Sequence, residues 1–333
     1  MFLGATYNFM TSSQMPPDSA GAGSPSLTGI VAATFTPFDS AAEINLDLIQ
    51  PLTDHLVRNG VSGIYICGST GEGPSLTMEE RKAVVEAYVK AAKGRLRTVV
   101  HIGHTAVKDA AELGAHAESV GADAISAIAP YYFKPEGVPD LIAFLKEAAA
   151  AAPSLPFYYY HMPSLTGVAV DPVEFLRRGA ESIPTLRGIK YTDADLSKFN
   201  ACQELAGGER FDVLFGRDEM LLSGLVAGAR GAVGSTYNFA PALYRKIIEA
   251  FEARDLEKAS ELQRLAVRMI RAIVTIGGEA AIKHPMRRLG LDCGLRRLPM
   301  RQLNADEERQ IDAALDALGF DEWATERVVE GAS

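Results

Sequence analysis

Hydrophobic positions follow two alternating patterns from residue 29 onward. Short runs of β-branched, aromatic and small apolar residues are separated by longer stretches in which apolar residues recur every three or four positions. The short runs are typical of buried strands, and the longer stretches are typical of amphipathic helices. The pattern predicts eight strands, at residues 29–35, 63–67, 97–103, 123–129, 156–160, 187–191, 212–215 and 231–235.

Residues typical of helix starts and helix ends lie between these strands. Thr77 and Glu80 have the spacing of a capping box at a helix start. Four glycines stand where helices are expected to end: Gly60, Gly94, Gly121 and Gly231. Eight strands that are each followed by a helix predict an α/β fold of the (β/α)₈ TIM barrel type. An open doubly wound sheet is the alternative, because counting repeats does not establish closure.

The two ends of the chain differ from this repeat. Residues 251–333 carry no strand pattern and contain three helical stretches, so we expect a C-terminal helical region beside a catalytic barrel at residues 28–250. That region packs on the barrel or supplies oligomer contacts. Residues 1–27 are rich in Ser, Gly, Pro and Ala, which predicts a flexible leader. A start codon assigned too far upstream is the alternative.

Composition narrows the classes of function. The chain of 333 residues is 47% apolar and 23% charged, the mixture of an ordinary globular protein, and its net charge of -9 argues against nucleic-acid or anionic-membrane partners. No basic residue precedes Arg58 and no apolar run approaches membrane-spanning length, so we expect neither a secretory signal nor a membrane segment. Three scattered cysteines favour a reducing cytoplasm over a disulfide framework.

In a (β/α)₈ barrel the C-terminal ends of the strands build the active site, so a polar residue there is a functional candidate. Lys190 ends the sixth predicted strand in GIKYTD. Inside a barrel, desolvation lowers a lysine pKa and leaves a neutral amine that can form a Schiff base. A lysine reaching into solvent is the alternative.

The fifth predicted strand ends in PFYYYH. Side chains alternate along a strand, so Tyr158 and Tyr160 share one face and Tyr159 points toward the helices. If that shared face is inward, Tyr160 stands at the barrel mouth beside Lys190, where a phenol can move a proton. Ordinary core packing is the alternative for a strand this rich in tyrosine.

The second predicted strand runs into CGSTGEG. Glycines on both sides of Ser69 and Thr70 permit close backbone approach, so the two hydroxyls and the exposed amides can cradle an anion. The GK[ST] ending of a phosphate-binding P-loop is missing. A plain glycine-rich turn is the alternative.

Strands seven and eight run into FGRDE and GSTYN. Asp218, Glu219 and Ser235 supply hydrogen-bonding groups that suit a polyhydroxylated substrate, although the two acids also fit the first turn of the following helix. His101 and His104 lie on opposite faces of a strand end and have no clustered carboxylate or cysteine partners. We therefore predict no metal site.

The ordered set GSTGE, YYYHMPSLTG, GIKYTD, FGRDE and GSTYN resembles the pyruvate-dependent Schiff-base aldolase family that contains dihydrodipicolinate synthase and N-acetylneuraminate lyase. The resemblance covers nearly the whole chain after the predicted leader. It implies a homotetramer without metal or organic cofactor, with Lys190 as the Schiff-base lysine and Tyr160 as the catalytic phenol. Ser69 and Thr70 would hold the carboxylate of a 2-oxo acid. Tyr132, in PYYFKP, matches a second catalytic tyrosine near a subunit interface.

Within this family the chain resembles the N-acetylneuraminate lyases. Leu165 stands in PSLTG where dihydrodipicolinate synthases carry an arginine for an extra carboxylate. The resemblance implies that Thr192 contacts the middle of the substrate chain, and Arg217 departs from the family pattern. It assigns the binding of the sugar hydroxyls to Gly216, Asp218, Glu219 and Ser235.

The implied reaction is reversible cleavage of N-acetylneuraminate to N-acetylmannosamine and pyruvate. One alternative is another reaction of the family, such as cleavage of a 2-keto-3-deoxy sugar acid, a hydratase-aldolase reaction or a dihydrodipicolinate synthase-like reaction. A non-catalytic barrel that only binds a ligand is the alternative from another class.

Overall fold

The eight strands form a closed parallel barrel in the computed structural model, which describes residues 26–207 and 210–326. Each strand is hydrogen-bonded to the next, and the eighth returns to the first. The barrel prediction is confirmed and the open sheet is excluded. The strands are β1 Gly29–Ala33, β2 Gly63–Ile66, β3 Arg97–His101, β4 Ala124–Ile128, β5 Phe157–His161, β6 Leu186–Tyr191, β7 Asp212–Phe215 and β8 Gly231–Gly234.

Every observed strand lies within two residues of its predicted bounds, because short apolar runs flanked by polar turns leave little freedom in where a strand begins. The predicted leader lies outside the described residues, apart from its last two positions. No helix in the described part of the chain is long and apolar enough to span a membrane.

Helices surround the barrel, and α2 begins at the predicted capping box. The capping box before α2 is present, with Glu80 N donating to Thr77 Oγ1 at 3.2 Å and Thr77 N donating to Glu80 Oε2 at 2.8 Å. The helices are α1 Ile49–Arg58, α2 Met78–Ala92, α3 Val107–Ser119, α4 Val138–Ala150, α5 Pro163–Thr166, α6 Pro172–Ser182, α7 Leu196–Ala206, α8 Leu221–Val226, α9 Pro241–Glu252, α10 Leu256–Gly277, α11 Ala305–Ala317 and α12 Phe320–Trp323.

One helix-end prediction is wrong. Gly231 does not end a helix, because it is the first residue of β8. Gly228, with φ +96°, takes the left-handed conformation shortly after α8 instead. A side chain at Gly231 would meet the carbonyl oxygen of Leu27 at 2.4 Å, so this glycine is required by close backbone approach.

Two hydrophobic clusters make up the core of the part of the chain that the structure describes. The larger cluster fills the space between strands and helices, where Tyr159 packs on Phe175 with 4.4 Å between ring centroids. The smaller cluster lies inside the barrel and contains Tyr158 and Tyr160. The predicted alternation of the three tyrosines on β5 is therefore confirmed.

The N-terminal end of the barrel interior is closed by a polar network. Tyr158 donates to Asp212 Oδ2 at 2.6 Å, and the backbone N–H of Leu27 donates to the same oxygen at 3.2 Å. The Arg187 guanidinium lies 3.5 Å from this carboxylate. These contacts satisfy a buried charge in the part of the barrel remote from the mouth.

The C-terminal region is helical. Helix α10 packs against α9 and α11, and the backbone N–H of Ala242 in α9 donates to Ala324 O after α12. The second of the three helical stretches predicted in residues 251–333, HPMRRLGL, forms a 3₁₀ helix, His284–Leu289. This segment and the loop after it reach back to the barrel near the end of β2.

Candidate active site

Lys190 lies inside the barrel near its mouth, with 4% of its surface exposed. On β5 and β6, Tyr160 and Lys190 are register partners. The lysine Nζ is 3.9 Å from the ring centroid of Tyr160 and 4.0 Å from that of Tyr65. Two tyrosine rings therefore enclose the amine, and the solvent-reaching alternative is wrong.

Burial sets the protonation state of this amine. It lowers the Lys190 pKa to about 7, and the negative charge of Asp218 acts in the opposite direction. The amine is therefore about half uncharged near pH 7, whereas an exposed lysine, with a pKa near 10.4, is almost entirely protonated. A neutral amine is the form that attacks a ketone.

Tyr160 is buried, and its hydroxyl has a weak acceptor. The phenol donates to Met162 Sδ at 2.9 Å, and a thioether is a poor hydrogen-bond acceptor. Burial raises the pKa of Tyr160 to about 12, while the nearby hydroxyls of Ser69 and Thr192 oppose the increase. The phenol therefore carries its proton in the free protein and can exchange it with a bound ligand.

Ser69 and Thr70 lie half-buried on the loop after β2. Two residues of this loop, Cys67 at φ +57° and Glu72 at φ +56°, adopt the left-handed conformation, which non-glycine residues seldom take. The side chain of Thr36 donates to the carbonyl of Gly71 at 2.6 Å. The loop is thus a tightly folded turn, and Ser69 comes close to Tyr160.

Asp218 follows β7 and is buried, with 6% of its surface exposed. Its Oδ2 accepts hydrogen bonds from the backbone N–H of Thr236 at 2.9 Å and from its hydroxyl at 2.7 Å. Burial raises the pKa of Asp218 to about 6 even though these bonds and Lys190 lower it. A side chain at Gly234 would lie 1.9 Å from Asp218 Oδ1, so that glycine makes room for the carboxylate.

Thr192 and Gly216 are adjacent at the ends of β6 and β7. Thr192 Oγ1 is buried and makes no hydrogen bond of standard geometry to the described residues. A side chain at Gly216 would stand 2.0 Å from that oxygen. The glycine therefore makes room for the Thr192 hydroxyl, and this buried oxygen can accept a hydrogen bond from a ligand.

Glu219 is paired with the residue that departs from the family pattern. Arg217 Nη2 lies 2.7 Å from Glu219 Oε1, and its Nε donates to the same oxygen at 2.9 Å. Both side chains are about one-third exposed. Asp218 and Glu219 also begin a short 3₁₀ helix, Asp218–Met220. They therefore lie at a helix start, as one of the two predictions had it, and remain candidates for binding a ligand. Ser235, directly after β8, is half-buried.

Tyr132 and Leu165 lie on the outer parts of two loops. Tyr132 is 76% exposed, and its ring packs edge-to-face on Phe133, which is 86% exposed. Leu165 in α5 is 62% exposed. The structure therefore does not bring Tyr132 into the group that surrounds Lys190 within one chain.

Sequence reasoning missed Tyr65 beside Lys190, because it considered only strand ends, and it weighed His101 only as a metal ligand. Tyr65, in the body of β2, donates to Ser126 Oγ at 2.9 Å and turns its ring toward the lysine. His101 at the end of β3 lies edge-on to Tyr160, 5.9 Å between ring centroids. Burial, followed by the charges of Arg81 and Lys190, holds the His101 pKa well below its usual value, so this imidazole is neutral. Strand alternation carried through β2 and β3 would have placed both inward.

Comparison with known proteins places this site in a family. The model of the dihydrodipicolinate synthetase family matches residues 26–318. N-acetylneuraminate lyases of Mus musculus and Homo sapiens are each 43% identical over 298 residues, which are 88% of this chain and 93% of each relative. The structure of Proteus mirabilis N-acetylneuraminate lyase has a TM-score of 0.86 at 39% identity, over 89% of this chain and 100% of that chain. The chain belongs to the dihydrodipicolinate synthetase family.

Proposed function

We propose that this chain is a class I aldolase that reversibly cleaves N-acetylneuraminate into N-acetylmannosamine and pyruvate, through a Schiff base on Lys190. The observation that carries the proposal is the amine itself, buried between Tyr65 and Tyr160 with its pKa lowered to about 7. The similarity to N-acetylneuraminate lyases over 88% of the chain supports the choice of substrate.

The first step needs the neutral amine. Nζ of Lys190 attacks the C2 ketone of the open-chain sugar, and loss of water from the adduct gives a cationic iminium. Ser69 and Thr70, on the turn after β2, hold the substrate carboxylate beside this carbon. Fixing the carboxylate orients the ketone toward the amine and makes the attack effectively intramolecular.

The second step needs a proton carrier. Tyr160 takes the proton of the C4 hydroxyl as its own proton passes to the substrate carboxylate held by Ser69 and Thr70. The electrons of the C3–C4 bond move to the C2–C3 position and neutralise the iminium, which leaves an enamine and releases the aldehyde. Protonation at C3 and hydrolysis then free pyruvate and regenerate Lys190.

Recognition of the sugar falls to the ends of β6, β7 and β8. Thr192 Oγ1, buried without a standard hydrogen bond among the described residues, packs against Gly216 and suits a hydroxyl in the middle of the substrate chain. Asp218 accepts hydrogen bonds from more distal hydroxyls, together with Glu219 and Ser235. Leu165 brings no charge to this region, which suits a sugar acid with one carboxylate.

The exposed aromatic pair supports a homotetramer. Tyr132 and Phe133 leave a large apolar surface uncovered in the single chain, and a second subunit would cover it. In that assembly Tyr132 contributes to catalysis at a subunit interface. The three cysteines are buried free thiols, which fits a reducing cytoplasm.

Pyruvate release tests the proposed function directly. Coupling the reaction to lactate dehydrogenase should show pyruvate formed from N-acetylneuraminate much faster than from 2-keto-3-deoxygluconate. Borohydride added with pyruvate should attach an irreversible mass to Lys190. Faster cleavage of 2-keto-3-deoxygluconate would point to another reaction of the family. Ligand binding without pyruvate release would indicate a non-catalytic barrel.

A further inference from the structure

The turn that carries Ser69 and Thr70 is fastened to the C-terminal region by a buried ion pair. Glu72 Oε1 lies 2.6 Å from Lys283 Nζ, and the two side chains are 0% and 4% exposed. Glu72 belongs to the same GSTGEG turn as the two hydroxyl residues. Lys283 comes from the segment after α10, so the contact joins parts of the chain that are far apart in sequence.

Lys283 makes further contacts that hold the turn. Its ammonium donates to Thr36 O at 2.8 Å and to Leu295 O at 3.1 Å. Thr36 in turn donates through its hydroxyl to Gly71 O at 2.6 Å. One ammonium therefore ties together the loop after β1, the turn after β2 and the C-terminal region.

The other carboxylate oxygen of Glu72 is also engaged. The backbone N–H of Arg297 donates to Glu72 Oε2 at 3.0 Å, and Arg296 Nε lies 3.5 Å from Oε1. Glu72 adopts the left-handed conformation, which costs conformational energy for a non-glycine residue. A strained residue with a buried charge persists only where its surroundings hold it in place.

A buried ion pair is a poor source of stability, because removing two charges from water offsets most of their attraction. Apolar residues of similar volume would serve the core as well or better. What the pair provides is a defined geometry, since both carboxylate oxygens of Glu72 are fixed by groups from the C-terminal region. The points so fixed, Gly71 and Glu72, directly follow Ser69 and Thr70.

We propose that the Glu72–Lys283 pair positions the turn that binds the substrate carboxylate, so that the C-terminal region takes part in substrate binding. Glu72 and Lys283 act as positioning residues, since neither side chain is free to contact the substrate. This inference rests on the proposed function, in which Ser69 and Thr70 hold that carboxylate. A displacement of the turn would weaken carboxylate binding and leave the amine of Lys190 in place.

Two ketones separate these effects. Pyruvate forms an imine with Lys190 and uses the carboxylate-binding turn, whereas acetone forms an imine without it. Trapping with cyanoborohydride, followed by mass spectrometry, measures both reactions. In the Glu72→Gln variant we expect the pyruvate concentration for half-maximal trapping to rise about tenfold or more, equivalent to about 1.4 kcal/mol of binding energy. Trapping with acetone should stay within about twofold of wild type, because Lys190 keeps its surroundings.

Glu80→Gln is the matched control. Glu80 pairs with the Arg297 guanidinium at 2.6 Å and so joins α2 to the same C-terminal segment, whereas Glu72 is held by the backbone N–H of Arg297 and not by its side chain. A glutamine in place of Glu80 removes one charge and can still accept the capping hydrogen bond from Thr77. Its trapping with pyruvate and with acetone should match wild type.

A double variant covers the case in which Glu72→Gln fails to fold. Glu72→Gln with Lys283→Met removes both buried charges, which is close to neutral for stability in other buried pairs. The same selective loss of pyruvate trapping is expected. Wild-type pyruvate saturation in a folded variant would overturn the inference, as would an equal loss with pyruvate and acetone. A wild-type protein that traps neither ketone would instead contradict the proposed function.

Discussion

Tyr158 and Tyr160 lie on the same face of one strand, yet they have opposite surroundings. Tyr158, deeper in the barrel, donates to the Asp212 carboxylate at 2.6 Å, and that carboxylate has two further partners. Tyr160, at the mouth, donates only to the sulfur of Met162 in standard geometry within the described chain. The Tyr158 phenol thus has a strong acceptor inside the fold, whereas the Tyr160 phenol has a weak one that a ligand can replace.

Two buried aspartates, at the start of β7 and just beyond its end, differ from each other in the same way as the two tyrosines. Asp212 at the start of β7 lies within a closed network of donors. Asp218 lies just beyond the end of β7, where burial raises its pKa to about 6 despite two hydrogen bonds from Thr236. Polar groups at the closed end are paired with one another, whereas Lys190 and Asp218 at the mouth have perturbed pKa values, as groups at functional sites often do.

The largest loss of activity at the barrel mouth is expected from replacing Lys190. Lys190→Met should lower the rate of pyruvate release by at least about four orders of magnitude, because the nucleophile is lost. The methionine fills similar volume between the two rings without a charge. Pyruvate release in the coupled assay and trapping with borohydride measure the loss. Residual turnover above one per cent of wild type would remove Lys190 from its assigned role.

The same variant tests the cost of the buried amine. The Lys190 pKa in the folded protein, about 7, lies below its ordinary value of 10.5, so between these values the unfolded chain binds a proton that the folded chain does not. The free energy of unfolding of the wild-type protein therefore rises with pH between about pH 7 and pH 10.5 as far as Lys190 contributes to it. Near pH 7 we expect Lys190→Met to be more stable than wild type in urea titrations, and the difference should shrink toward pH 10.

The next largest effect compares the two tyrosines directly. Tyr160→Phe should lower kcat about 10²- to 10⁴-fold through loss of the proton carrier, while imine formation with pyruvate continues. Its stability should change by less than about 1 kcal/mol, because the one bond of standard geometry that the phenol gives up within the described residues goes to a sulfur, a weak acceptor. Coupled assays, trapping and urea titration measure these three quantities.

Tyr158→Phe is the matched control and should show the reverse. Loss of the bond to Asp212 should destabilise the fold by about 1–3 kcal/mol, since a buried carboxylate loses a partner. Turnover by the folded fraction should remain close to wild type. Equal stability losses in the two variants would show that the two ends of the barrel do not differ in this way.

A smaller effect is expected from Asp218→Asn. Loss of the charged acceptor for a sugar hydroxyl should lower kcat/KM for N-acetylneuraminate about 10- to 100-fold, equivalent to about 1.4–2.7 kcal/mol. The charge of Asp218 raises the pKa of Lys190, so its removal should move the rising limb of the pH profile for imine formation to lower pH. Wild-type imine formation should rise through about pH 7. An unmoved profile would mean that the two charges are not coupled.

The smallest effect concerns the partly exposed pair of Arg217 and Glu219. Arg217→Gln should change stability by less than about 0.5 kcal/mol, because solvent screens this pair. The freed Glu219 carboxylate can then accept from the sugar, so KM for N-acetylneuraminate should shift by no more than a few-fold. A much larger change in KM, measured in the coupled assay, would show that Arg217 itself contacts the substrate.

Local pattern was sufficient for the eight strands and for the side chains that share a face of each strand, whereas closure of the barrel came from the structure. Alternation along β5 distinguishes Tyr159 from its two neighbours, and the apolar run before Lys190 places that lysine on a buried strand. The turn chemistry of the GSTGEG segment was also readable, because glycine requirements are local. The choice of N-acetylneuraminate came from motif resemblance, since periodicity carries no information about substrate.

Contacts between side chains far apart in sequence could not be predicted, because nothing in the sequence near one partner specifies the other. Glu72 looked like part of a binding turn, and only the folded chain shows that its carboxylate faces Lys283. Arg217 had no interpretation until the structure placed it against Glu219. The sequence by itself determined which side chains of a strand share a face, since that depends on a two-residue repeat. The tertiary structure alone decided which of them are satisfied, because hydrogen bonds and desolvation depend on neighbours from distant strands.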